Sequence, residues 1–475
     1  MLYRVIIQSV LMLCILKNQS NAISIDEYIV QVENSNKDYA GYSLSSKGYL
    51  LQSDEAFLQY SSQLFFNAQR ADDRRSTISS SFQGTQTVQN ILSTGISKLT
   101  TFGLQGKLYY AVNNTNILGV NASFVNLPRY YNNTFGLELT QKLWGDGFGR
   151  ATKASANAEK LRILSLSHNQ KFQSKITILE AKKIFWQFAS LERIIAIQRE
   201  SLNSAVKTQK LNAHKVGLGL MEKSDLTQAE TVVQTRKSEL EAYILEHDLT
   251  RKQFNLTRGM SDDSDVYGEI SLPDVDYVLS LELPETTHKR EDVKSAEANY
   301  KSMVEKYEAT KHRQRPQMDL FVNATSNGRN QFLNQAWQNT MSTDYPYVTA
   351  GVNFNIPLDQ TLVSQVKSSY KMQAEGAKFL YDQVESRQKT ALNSIIDKFQ
   401  NSKDRLRIAL EITKLQQLKL EQEKLKYQLG KTTATQVFDF EHNLLLSRID
   451  QVKLVTQILN LFAEIETYKQ ENEHS

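Results

Sequence analysis

The chain has 475 residues, 23% of them charged and 40% hydrophobic, with a net charge of +4. That composition excludes a polytopic helical membrane protein and a disordered chain. The small net charge, with no long block of like charges, gives no case for nucleic-acid binding. Proline is scarce at 6 residues, where average usage near 5% would give roughly 24, and glycine stands at 19, so helix formers run far without a breaker.

Met1–Ala22 reads as a secretory signal peptide. Arg4 opens it, Val5–Leu16 is apolar but interrupted by Gln8 and Ser9, and Ser20-Asn21-Ala22 is a small-residue cleavage site. Two other readings compete: a buried N-terminal helix, and lipid attachment at Cys14, although Leu11-Met12-Leu13 lacks the small residue expected before a lipidated cysteine. Cleavage after Ala22 removes the only cysteine and with it any disulfide. No apolar run is long enough for a transmembrane helix, which needs about 18 residues or more. A β-barrel leaves a much weaker signal and stays open.

Beyond the signal, strands are expected within about 61–147. Phe102, Leu104, Gly106, Leu108, Tyr110 and Val112 alternate with their neighbours, as do Phe135, Leu137, Leu139, Gln141 and Leu143. Asn-rich clusters at Asn113–Asn116 and Asn132-Asn133 are turn signals, and the pattern does not fix the strand ends between Arg70 and Val125. From Arg150 to Val216 there is neither proline nor glycine, and Ile176, Leu179, Trp186, Ile194 and Ile197 follow helical spacing. A helix of that length spans about 100 Å, too long for the core of a compact domain. Gly219 punctuates, and a second helix is expected over about 222–256. The polar stretch 259–284, with two prolines, reads as a linker.

The region 285–475 repeats this plan after 23–258. A helix Arg290–Lys311 precedes strands at about 316–358, where Val348, Ala350, Val352, Phe354 and Ile356 alternate. Helices follow at about 360–429 and 433–472, with Gly430 between them. Three segment pairs match in order. Phe65-Phe66-Asn67-Ala68 resembles Phe321-Val322-Asn323-Ala324, and Gly136-Leu137-Glu138-Leu139 resembles Gly351-Val352-Asn353-Phe354. Gly219, Asp225, Leu226 and Glu230 share the spacing of Gly430, Gln436, Val437 and Glu441. The last two pairs are offset by 215 and 211 residues and the first by 256. The first repeat therefore carries extra material, and Arg70–Val125 is the obvious place for it. The alternation fits a soluble sheet with one buried face, or a barrel wall with lipid on one side and a wet lumen on the other.

No enzyme pattern survives inspection. The seven histidines include no pair at metal-ligand spacing. Gly145-x-Gly147-x-Gly149 lacks the dinucleotide-binding pattern and reads as a strand-to-helix turn. No cofactor or metal is expected.

Signal peptide, duplicated strand-and-long-helix unit, and the Gly-x5-Asp-Leu turn with its second copy together resemble the outer-membrane efflux (TolC) family. Arg290-Glu291-Asp292-Val293, Arg315-Pro316-Gln317-Met318-Asp319-Leu320 and Phe354-Asn355-Ile356-Pro357-Leu358 are similar to patterns of that family. The resemblance implies a mostly α protein with a β-barrel portion: a homotrimer in the outer membrane of a Gram-negative bacterium. Each chain would give four strands to a twelve-stranded barrel, and duplicated helical hairpins would form a periplasmic α-barrel. It implies a passive duct of a tripartite export system, serving drug efflux or type I secretion. A periplasmic adaptor (membrane fusion) protein would dock at Leu218-Gly219-Leu220 and Leu429-Gly430-Lys431, with an inner-membrane pump supplying energy indirectly. The polar lock of the closed tip maps to Ser224, Asp225 and Tyr427, making an Asp225–Tyr427 hydrogen bond the expected link. Thr432 stands where the family has an arginine. The two constriction carboxylates map to Gln436 and Asp439, so one is lost. An exported coiled-coil fibre with short β modules is the alternative; it explains the helices but not the strands preceding each long helix twice. The sequence names neither cargo nor adaptor.

Overall fold

The structure, a computed structural model, describes residues 23–121, 123–264, 266, 270–286 and 289–469. The signal-peptide segment and Cys14 lie outside these residues. The described residues form two compact units: one within 23–47, 168–294 and 383–469, the other within 48–167 and 295–382. Helices α1 (Ile25–Ser35) and α2 (Lys37–Gln52) lead to β1 (Gln63–Asp73), the short α3 (Ser80–Gln83), β2 (Gln86–Leu99), β3 (Leu104–Leu118) and β4 (Arg129–Trp144). Then come α4 (Arg150–Gly217), α5 (Lys223–Thr257), α6 (Val275–Ser280) and α7 (Glu291–Arg313). The chain continues through β5 (Gln317–Asn330), α8 (Leu333–Met341), β6 (Pro346–Asn355), α9 (Gln360–Gln428) and α10 (Ala434–Glu466). Gly376 sits inside α9 without interrupting it. No described helix is long and apolar enough to cross a membrane.

The second unit holds one antiparallel sheet in the order β1-β2-β3-β4-β5-β6. Four strands are implied by the family resemblance, and the chain has six. The extra pair is β2–β3, and it falls in the stretch where the repeat offsets differ. The alternation expected for β3, β4 and β6 holds across the whole sheet, because the register puts like residues in rows. Leu64, Ile96, Leu108, Leu137, Ala324 and Val348 form one row across all six strands. The adjacent row is Gln63, Ser97, Lys107, Glu138, Asn323 and Thr349. One face is thus apolar and the other polar, with Lys107 and Glu138 ion-paired at 3.3 Å on the polar side. All the leucine, isoleucine and valine side chains of the first row are exposed in the single chain. Helix α8 packs against β4 and β5, with Trp337 edge-on to Tyr110 at 4.8 Å.

Below the sheet, the Gly145–Gly149 run makes the strand-to-helix turn. The Asp146 carboxylate accepts from the Thr152 N–H at 2.9 Å and pairs with Lys142 at 3.1 Å. The neighbouring portions of α4 and α7 meet through small residues: Ala151, Ala158, Ala298 and Ala309 are buried. Ser302 Oγ donates to the Ala158 carbonyl at 2.7 Å, and Ser165 and Ser295 each donate to the other's carbonyl at 2.8 Å. Small side chains let the two backbones approach and satisfy the hydroxyls on helix carbonyls.

The first unit is helical, with cores built from the apolar stripes seen in the sequence. Leu392, Phe399 and Leu406 of α9 pack with Ile458, Leu459 and Ile465 of α10, while Tyr28 stacks on Phe254 at 4.2 Å. Arg290 is held between the rings of Phe172 and Tyr468, at 4.7 and 4.6 Å, and pairs with Asp292 at 2.7 Å. A planar guanidinium can stack on two rings and still present its edge to a carboxylate, which an ammonium cannot do. Its neighbour Glu291 is buried among His168 at 2.7 Å, Lys294 at 3.1 Å and Lys171 at 3.6 Å. Burial alone would raise this carboxyl, but the three partners hold it down at about 2.

Because the folded value lies below the ordinary 4.5, Glu291 contributes stability that is full above that pH and is lost as pH falls toward 2. Glu291→Gln is expected to cost about 2 kcal/mol at neutral pH, since it removes the one buried carboxylate that three half-exposed cationic side chains share. Thermal melts followed by circular dichroism check this. The gap between wild type and variant should narrow as pH drops from 4.5 toward 2, and a gap independent of pH would remove the charge from the explanation.

Candidate functional site at the paired helical turns

The two helical hairpins of the first unit, α4–α5 and α9–α10, end in turns built alike. After α4, the Gly219 N–H donates to the Val216 carbonyl at 3.0 Å and the Leu220 N–H to the Lys215 carbonyl at 2.9 Å. After α9, the Gly430 N–H donates to Tyr427 at 3.1 Å and the Lys431 N–H to Lys426 at 2.9 Å. Both are Schellman caps, in which two reverse bonds satisfy the last carbonyls of a helix. The cap needs a left-handed residue, and Gly219 and Gly430 have φ of 70° and 71°. Nothing lies within 4 Å of a Cβ built at either position, so backbone conformation and not space demands glycine. Leu218, Leu220, Leu429 and Lys431 are exposed around these glycines.

Just behind the turns, a small apolar cluster of Ala229, Leu420, Tyr427, Val437 and Phe438 ties the hairpins together. Polar bonds join the same helices. The buried Tyr427 hydroxyl donates to Asn212 Oδ1, and Asn212 Nδ2 reaches the Asp225 carbonyl at 3.5 Å. The expected hydrogen bond from Tyr427 to the Asp225 carboxylate is replaced by this one: Asn212, fully buried on α4, stands where its amide oxygen accepts from the phenol. Burial and, after it, the nearby Asp225 charge raise the phenol above its ordinary value. Lys215 caps the ring at 4.3 Å.

Of the other residues singled out, Ser224 bonds Glu222 at 3.2 Å and stays local. The Thr432 hydroxyl lies between the Glu423 carboxylate and the Gln436 side-chain amide. That contact joins the end of α9 to the start of α10 without the charge an arginine would bring. Gln436 and Asp439 are exposed. Further from the turns, α4 is linked to the second hairpin by Ser204 to Glu441 at 2.6 Å and Arg448 to Glu200 at 2.8 Å. Lys424 pairs with Glu441 at 2.7 Å, and the buried Arg236 of α5 meets His442 of α10 at 2.9 Å.

Sequence reasoning missed Asn212, Ser204, Lys424, Arg448 and Arg236. For Asn212 there was a signal. It lies seven residues before Gly219, and Glu423 lies seven before Gly430; both are buried polar residues at matched places in the two hairpins.

A sheet with one apolar and one polar face, in a chain with two matched helical hairpins, defines the fold of outer-membrane channels that carry long helices. Solved structures bear out the likeness. The outer membrane protein VceC of Vibrio cholerae has a TM-score of 0.66 at 15% identity, covering 94% of this chain and 95% of that one. CusC, described for its transmembrane channel formation, has a TM-score of 0.67 at 14% identity, covering 96% of each. The open outer membrane channel MtrE of Neisseria gonorrhoeae has 0.64 at 13%, covering 94% and 89%. The likeness is one of fold. No protein-family model matches the sequence and no curated protein matches it.

Gly219→Ala and Gly430→Ala are each expected to cost about 1 kcal/mol, the strain of a left-handed alanine. Hydrogen exchange at the amides of Leu220 and Lys431 reads this out directly. Unchanged protection would mean that the caps tolerate a side chain.

Proposed function

We propose that the chain is a passive outer-membrane duct of a tripartite export system in a Gram-negative bacterium. It acts as a homotrimer whose strands form a barrel in the outer membrane and whose helices reach into the periplasm. The observation that carries this reading is the sheet's exposed apolar face, continuous over six strands and backed by a polar face. Water would penalise such a face and lipid would reward it, while the polar rows suit a wet lumen. On β3 the apolar positions run from Leu104 to Val112, about 27 Å at 3.4 Å per residue, comparable to a hydrocarbon band. A surface fibre would leave this face in water.

In this reading Leu218-Gly219-Leu220 and Leu429-Gly430-Lys431 dock a periplasmic adaptor protein, and an inner-membrane pump supplies the energy. Exposed leucines on a rigid turn give the adaptor apolar contact with little entropy to lose. Ser224, Asp225, Tyr427, Thr432 and Gln436 belong to the gate, with Asn212 taking the phenol. Opening separates the α4–α5 hairpin from α9–α10, so it must break the bonds from α4 and α5 to the second hairpin. Each contributes about 1 kcal/mol, a barrier that docking can overcome. Three Asp439 carboxylates about the trimer axis make a ring that favours cations.

Single-channel recording in planar bilayers tests this. Wild type should open briefly and prefer cations. Asn212→Ala combined with Tyr427→Phe should raise open probability several-fold, and Asp439→Asn should weaken cation preference without changing the gate. A double variant that conducts like wild type would take these residues out of the gate, and protein that stays soluble without detergent would sink the duct.

A further inference from the structure

The six strands are three hairpins, β1–β2, β3–β4 and β5–β6, and the three are versions of one another. The outgoing strands read Leu64-Phe65-Phe66-Asn67-Ala68, Leu108-Tyr109-Tyr110-Ala111-Val112 and Leu320-Phe321-Val322-Asn323-Ala324. Each central aromatic faces a glycine on the returning strand: Phe65 with Gly95, Tyr109 with Gly136, Phe321 with Gly351. A Cβ on Gly136 would lie 2.5 Å from the Tyr109 ring, and one on Gly351 2.6 Å from the Phe321 ring. The rings therefore lie across bare backbone, a device that bends and registers a sheet. At Gly95 the space is filled by the next strand, with the Leu108 carbonyl 2.3 Å from a built Cβ. The additional strands thus carry the same aromatic–glycine pairing and the same apolar and polar rows as the rest. They are wall, not loop.

The sheet is open. Among the described residues β1 and β6 each pair on one side only. The two edges match, with 11 and 10 residues. Leu64–Gln69 and Tyr347–Asn355 contain no charged residue; the charges of β1, Arg70, Asp72 and Asp73, gather at its far end and Pro346 only opens β6, so the middle of each edge is bare. With an even number of alternating strands, β6 runs opposite to β1. Identical copies in a ring can then pair β6 of one with β1 of the next in the antiparallel sense throughout.

We propose that three copies close a single barrel of eighteen strands, six from each, by β6–β1 pairing between neighbours. The proposal rests on the trimeric duct argued above and changes its outer opening. Barrel diameter grows roughly linearly with strand number, so the mouth is about half as wide again as twelve strands would make it, in the range of barrels that hold an open aqueous channel. Sieving then falls to the helical tip, and cargo that clears the tip meets no second constriction in the barrel wall.

The test is disulfide mapping in the full chain, with Cys14→Ser to remove the native thiol. Ala68→Cys on the outward face of β1 is combined in turn with Val348→Cys, Ala350→Cys and Val352→Cys on the same face of β6. One of the three pairs should convert most of the protein to covalent trimer on oxidation in detergent. Val112→Cys on β3, combined with the same β6 positions, should give none. Cross-linking from β3 in place of β1 would mean a twelve-stranded wall with the first hairpin displaced; it would overturn the strand count and leave the duct standing. A trimer by light scattering that links at neither position would overturn β6–β1 closure. A monomer by light scattering would remove the trimer itself, and the count with it.

Discussion

A strand edge in hydrocarbon has no water to bond, and each unmet N–H or C=O there costs several kcal/mol. In the proposed duct, this one constraint organises the protein. It explains how a chain of ordinary charge content can carry an exposed row of Leu64, Ile96, Leu108, Leu137 and Val348. It also separates the chemistry of the two units. The sheet places its apolar groups outward, whereas the helical unit buries Leu392, Phe399 and Ile458 in the ordinary way.

Within the helical unit the division of labour is different again. Around Arg290 and Glu291 the interactions are buried, multiple and charged, which makes that region a fixed anchor. At the turns they are single hydrogen bonds and half-exposed ion pairs, each worth little alone. Asn212 to Tyr427 is the most enclosed of these, and it is a neutral pair. A neutral bond can be broken without stranding a charge in a dry place, which suits the opening contact proposed for it.

Much of this fold was legible in the sequence because its signals are periodic. The glycine-free run from Arg150 and the alternation around Leu108 and Val352 each specify an element without tertiary information. Offsets of 215 and 256 residues pointed to surplus chain between Arg70 and Val125. What they could not say is that the surplus is two strands. In Gln86–Leu99 the alternation is diluted by Thr87, Gln89, Asn90, Ser93 and Thr94, and only pairing with β1 and β3 places these residues. The site was less legible. Gly219 and Gly430 announce themselves, because a left-handed cap has few alternatives. The partner of Tyr427 does not: choosing Asn212 over Asp225 depends on how α4 is rotated against α9, which no local pattern encodes.

Phe65 and Gly136 share one row of the sheet although Gly95 and Tyr109 stand between them. In the second repeat the corresponding Phe321 and Gly351 are direct neighbours. Adding a whole hairpin has therefore left the direction of the first and last strands, and the level at which they meet the helices, unchanged. In the proposed barrel, circumference is adjustable in increments of one hairpin per subunit while the helical turns keep their geometry. In the proposed duct the sheet and the helical turns can then evolve separately, one set by the membrane and what must pass it, the other by the partner that opens it.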